Sequence, residues 1–159
     1  MGTNTVARVM NDAGLAAWFG GSLMGAVAVD GTPFGRRTWA RWAPVGAAAV
    51  TAHLVGGTLL VPINKGRLTF QRGVFPTSAA QTVCTLGGLA ATIAAARTRA
   101  RLEQADDGED EALARRARLL DAAVPLLTGA SLVPNSRLGE LQRPVPVAGG
   151  VARRLLPWR

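Results

Sequence analysis

Cysteine, histidine and tyrosine are almost missing from this chain of 159 residues, which has one Cys, one His and no Tyr. A disulfide framework needs pairs of cysteines, and a zinc site within one chain needs several Cys or His ligands, so both are excluded. Charge is scarce too, at 18% of residues, where a soluble domain averages about 25%. With 48% hydrophobic residues, charge-rich disorder is excluded as well. The length allows one domain, or two small ones. There is no carboxylate pair, no nucleophile–base set and no phosphate loop. Gly20-Gly21 and Gly56-Gly57 lack the strand-to-helix setting of a dinucleotide fingerprint. No catalytic residue and no metal ligand set can be named.

What is abundant is uncharged apolar sequence. Four blocks contain no Lys or Arg: Ala13–Val29, Ala43–Ile63, Thr77–Ala96 and Leu119–Val133. A helix crossing the hydrocarbon core needs about 20 such residues. The first three blocks fit. The fourth contains Asp121 and Pro125 and lengthens backwards through Leu113 and Ala117, with Arg115, Arg116 and Arg118 snorkelling to the headgroups. The second and third blocks lack the polar stripe that a soluble helix carries each turn. The reading is therefore an all-α, four-helix transmembrane bundle. Its membrane domain covers residues 1–135, with spans at about 13–29, 43–63, 77–96 and 113–133, and residues 136–159 form a basic, Pro-containing interfacial tail. Asp12 suits an N-cap of the first helix, and Pro44 and Pro76 suit first turns of the second and third. Pro62 and Pro134 suit helix ends. Phe34, Trp39, Trp42, Phe70 and Phe75 lie at block ends, as in an interfacial aromatic belt. A signal peptide is the rival for the first block, but the n-region offers only Arg8.

The net charge of +8 comes from arginines that bracket the apolar blocks. That arrangement fits anionic lipid headgroups and not a nucleic-acid face, which would interleave basic and aromatic residues on one surface. The basic residues divide equally between the two sides, nine to nine. Arg36, Arg37 and Arg41 and the set from Arg97 to Arg118 lie nearest the helix ends, which places both termini outside the cytoplasm. Stripes of small residues include Gly14, Ala17, Gly21 and Gly25, then Gly46, Ala49, Gly56 and Gly57, then Gly87, Gly88, Ala91 and Ala95. They predict close helix packing, with a second copy or a larger membrane complex as protein partner.

His53 lies near the middle of the second block, with Ser22, Cys84 or Thr85, and Thr128 at matching depth. Its small neighbours turn it towards the interior. Three roles are open: a hydrogen bond to a hydroxyl across the bundle, cofactor binding as a haem ligand or quinone contact, or a proton or substrate relay. With one His, a bis-histidine haem cannot form within one chain. A second set of polar residues gathers beyond the block ends: Asn11, Asp12, Asn64, Lys65, Arg67, Glu140 and Arg143. These predict a polar cluster at one mouth of the bundle, with headgroup anchoring as its plainer role.

The runs Asn11–Gly31, Trp42–Leu60, Asn64–Val74 and Arg137–Pro144 resemble a group of small, functionally uncharacterised four-helix membrane proteins of high-GC actinobacteria. The segment Pro62–Leu68 is more remotely similar to anthrone-oxygenase-like four-helix membrane proteins. The closer resemblance implies four spans and the bacterial plasma membrane, and no activity. The functional expectation is a non-enzymatic accessory or scaffold component. Its rivals are a haem- or quinone-associated redox protein using His53 and a small transporter.

Overall fold

The computed structural model describes residues 2–28, 33–104 and 110–141, and within them every regular element is a helix. They are α1 (Thr3–Ala28), α2 (Pro33–Ile63), α3 (Lys65–Phe70), α4 (Val74–Leu102) and α5 (Asp110–Leu141). Side chains between residues 33 and 39, and residues 142–159 of the tail with Arg143 among them, lie outside the described set, while residues 136–141 of the tail belong to the last helix. The apolar blocks therefore form four long helices, with the short α3 linking α2 to α4. Among the described residues, Ala40–Ile63 and Val74–Leu102 are long and apolar enough to cross a membrane.

The long helices pack in the order α2–α1–α5–α4, with α2 and α4 scarcely in contact across the remaining seam. Glycine sets the closest approach. A Cβ at Gly14 would meet His53 N at 2.5 Å and Ala49 O at 2.6 Å. One at Gly56 would run into Asn11 N and, at 2.6 Å, Ala7 O. Gly14 faces residues 49–53 while Gly56 faces residues 7–11, so α1 and α2 run antiparallel with their backbones in contact. Gly21 lies under the Trp42 ring, and Gly129 of α5 sits 3.0 Å (to a built Cβ) from Phe19. Gly21 is thus spent inside the chain, and Trp42, near the start of the apolar stretch Ala40–Ile63, is half-buried against it. The apolar centre is small: Leu15, Trp18, Ala49, Ala91 and Val124.

Several helix ends differ from expectation. Asp12 is not an N-cap, because α1 starts at Thr3 and carries Asp12 in its interior. Pro44 is likewise internal to α2, and Pro134 does not stop α5. A proline removes one N–H and crowds the carbonyl four residues earlier, a local penalty that tertiary contacts can offset. For α5 the offset is visible at its far end. Arg67 Nη2 and Gln71 Nε2 donate to the Leu141 carbonyl at 2.7 and 2.8 Å and cap the final turn. The turn into α4 uses Gly73 at φ 83°, a conformation that side chains disfavour. Pro76 does fall in the first turn of α4.

The glycine contacts yield a stability prediction. Gly14→Ala and Gly56→Ala place a methyl against backbone that cannot move aside, and each should cost about 1–3 kcal/mol. Gly20→Ala meets nothing within 4 Å and should be neutral or stabilising by up to about 1 kcal/mol. Unfolding of the three variants in mixed detergent checks the contrast, and equal effects would refute the contact.

Candidate functional site

His53 points into the array because Ala49 and Gly56, on the same face of α2, let α1 come close. It is 3% exposed, its ring 6.0 Å from that of Trp18. Nδ1 lies 2.9 Å from the Asn11 carbonyl and Nε2 lies 3.2 Å from Thr85 Oγ1. A carbonyl only accepts, so Nδ1 carries the hydrogen. A ring with its single hydrogen on Nδ1 accepts at Nε2 from the Thr85 hydroxyl. Thr77, Thr82, Thr92 and Thr98 of α4 donate back to carbonyls four residues earlier in or just before their own helix, whereas Thr85 reaches across to α2. Of the hydroxyls placed at the depth of His53, Thr85 is the one that meets it. Ser22 bonds to the Phe19 carbonyl and Thr128 to the Val124 carbonyl. Trp18 Nε1 donates to Thr92 Oγ1 at 3.2 Å, a second tie to α4.

The His53–Thr85 bond spans the α2–α4 seam and stands between two cavities. The first, about 310 Å³, is lined by His53 and Thr85 at one end and by Arg8, Asn11, Asp12 and Asn64 among others. The second, about 410 Å³, lies on the other side, with Trp18, Trp42 and Arg99 in its walls. His53 and four of the mouth residues, Asn11, Asp12, Asn64 and Arg67, read from the sequence as separate features, thus share the first cavity.

Four side chains from three helices form a network there. Asn11 Nδ2 donates to Asp12 Oδ1 and to Asn135 Oδ1, both at 3.1 Å. Asn135 Nδ2 donates to Asp12 Oδ1 at 3.0 Å, and Gln81 Nε2 donates to Asn135 Oδ1 at 3.1 Å. An ionised carboxylate only accepts, so Asp12 dictates the direction of every amide after it. The chain of donors leaves Gln81 Oε1 as a buried oxygen with no partner among the described residues.

The other mouth residues divide. Asn64 lines the cavity, and its Nδ2 donates to the Leu60 carbonyl. Arg67 also lines it, but its guanidinium serves Gln71 and the Leu141 carbonyl. Lys65 and Glu140 are exposed and not in the cavity wall. Arg143 lies outside the described residues. Reasoning from sequence left out Gln81, although an amide inside an otherwise apolar block was the available signal. Asp121 of the fourth apolar block pairs with Arg99 at 2.5 Å at the opposite end of the array. Among the described residues no group of three or more His, Cys, Asp or Glu is placed to hold a metal ion. Comparison of the chain with protein-family models, curated proteins and solved structures found no match.

The bridge can be measured by a double-mutant cycle. Thr85→Val leaves Nε2 unpaired and should cost about 1–3 kcal/mol. Thr85→Val in a His53→Leu background should cost little, giving a coupling of about 0.5–1.5 kcal/mol in reversible detergent unfolding. Strict additivity would mean that the seam does not depend on this bond.

Proposed function

We propose that this is a four-span integral protein of the bacterial plasma membrane, acting as a non-enzymatic accessory or scaffold component. The observation that carries the membrane part is an inverted distribution of side chains. Asn11, Ser22, His53, Thr85, Thr128 and Ser131 are buried, while Leu23, Met24, Val55, Leu59, Val83, Leu86, Ile93 and Leu126 are exposed. Only 17% and 22% of the most apolar stretches of α2 and α4 are buried. Water would penalise such a surface, whereas lipid solvates it. Helices α1 and α5, with 26 and 32 residues, extend about 39 and 48 Å at 1.5 Å per residue. They pack alongside α2 and α4 and bury Asn11, Ser22, Thr128 and Ser131 in the interior, so four crossings follow more readily than two. The resemblance to small four-helix actinobacterial membrane proteins agrees with this reading.

The scaffold part rests on how His53 is used. Both ring nitrogens are spent on holding helices together, which is the work of a structural residue. A haem or quinone on His53 would need Nε2 to leave Thr85. The small-transporter alternative has one observation in its favour: two cavities lie along one seam, on either side of the His53–Thr85 bond. Exposed basic residues at the α2 and α4–α5 ends would meet anionic headgroups, with the termini on the extracytoplasmic side.

Carbonate extraction should leave the full chain in the membrane pellet. Alkaline phosphatase fused after Asn64 or Leu141 should be active, and fused after Gly31 or Gln104 inactive. Release by carbonate would end the membrane reading, equal activity at Gly31 and Asn64 the four-span reading, and the inverse pattern the orientation. A Soret band lost in His53→Ala would overturn the scaffold assignment.

A further inference from the structure

We propose that the 310 Å³ cavity binds a single-chain amphiphile with an oxyanion head, a carboxylate or a phosphate, whose charge is met by Arg8 and Arg67. The source of the chain rests on the membrane reading.

The charges of the wall do not cancel. Arg8 and Arg67 line the cavity against one carboxylate, Asp12. Asp12 Oδ1 takes amide hydrogens from Asn11 and Asn135, and among the described residues neither arginine lies within ion-pair distance of a carboxylate. The partners that the two arginines do have are uncharged. Arg8 Nε donates to Asn4 Oδ1, and Arg67 donates to Gln71 Oε1 and to the Leu141 carbonyl. At the opposite end of the array Arg99 has a carboxylate, Asp121, against it.

These hydrogen bonds hold the guanidinium groups in place without using them up. Both Nη atoms of Arg8, and Nη1 of Arg67, meet no acceptor among the described residues. Both side chains are half-buried, so an unmet charge costs more here than on an open surface. The planar fork of a guanidinium matches carboxylate and phosphate oxygens two at a time. Arg72 and Arg137, exposed at the same end and outside the cavity wall, add to the positive field that draws an anion towards it.

The rest of the wall selects what the oxyanion is attached to. Most of it is apolar, with Leu54, Leu60, Leu68 and Leu138 half-buried in the lining. A bare inorganic ion gains nothing from such a surface, whereas a hydrocarbon chain does. A volume of about 310 Å³ is at the low end of small-molecule sites, which run from roughly 300 to 1,000 Å³. It admits a head and one chain segment, and not a two-chain lipid.

The test uses the full chain in phosphatidylcholine nanodiscs, photolabelled with a diazirine-bearing fatty acid. Saturable labelling is expected, and oleate or oleoyl lysophosphatidate should compete at least about tenfold better than methyl oleate, which lacks the charge. The better competitor of the two identifies the head as carboxylate or phosphate. Arg8→Gln should weaken labelling about tenfold with unchanged detergent elution. Asp12→Asn, which removes the opposing charge, should strengthen it about threefold, a direction that a damaged fold does not produce. Arg72→Gln and Arg137→Gln remove the same charge outside the wall and should stay within about twofold. Equal competition by methyl oleate would remove the charged head, and equal competition by inorganic phosphate would remove the chain; either overturns the proposal. Equal losses in Arg8→Gln and Arg72→Gln would reduce the site to diffuse attraction. A chain that inserts but takes no saturable label refutes the site alone. A chain that fails to insert refutes the membrane reading and the amphiphile with it.

Discussion

The backbone contact between α1 and α2 governs the rest of the architecture. With Gly14 and Gly56 lacking side chains, the two helices approach until peptide groups touch, and the gain is dispersion between closely packed atoms. That approach brings the Asn11 carbonyl within reach of His53 Nδ1. The ring, fixed at one nitrogen, presents the other to Thr85. So the tie across the α2–α4 seam depends on a contact made on a different pair of helices. Holding α1 in this register also carries the Asn11 side chain to Asn135 of α5.

Polar groups in such an interior stabilise only when paired, because a low dielectric strengthens a satisfied hydrogen bond and magnifies the cost of an orphan. The chain obeys this by two routes. Hydroxyls of α4 and α5 mostly fold back onto carbonyls of their own helix, so they need no partner elsewhere. The amides and His53 instead join different helices. The orphaned Gln81 oxygen arises from the second route: a carboxylate at one end of an amide chain fixes every orientation, and the last member has nowhere to place its acceptor.

The existence of the four long helices was legible because runs of uncharged apolar residues bounded by arginine are a strong one-dimensional signal. The ends were not. Asp12, Pro44 and Pro134 each look like punctuation, and each lies inside a helix because packing and a distant cap at Leu141 decide where the helix stops. The partner of His53 was legible by depth, since Thr85 stands at its level. The mouth was legible in part. Asn11, Asp12, Asn64 and Arg67 do converge on a cavity. Lys65, two residues before Arg67, does not, because residues two apart on a helix do not share a face. Gln81 and the Arg99–Asp121 pair depend on the register of α4 against α5, which no local pattern encodes.

The glycine contacts also differ in how they can change over generations. At Gly21 and Gly129 the neighbour is a side chain, that of Trp42 or Phe19, so a larger residue on one helix can be matched by a smaller one on the other. Such pairs can drift together. At Gly14 and Gly56 the neighbour is main chain, present whatever residue is encoded opposite. No compensating substitution exists there, so variation among descendants of this sequence should bypass both positions and collect in the exchangeable pairs.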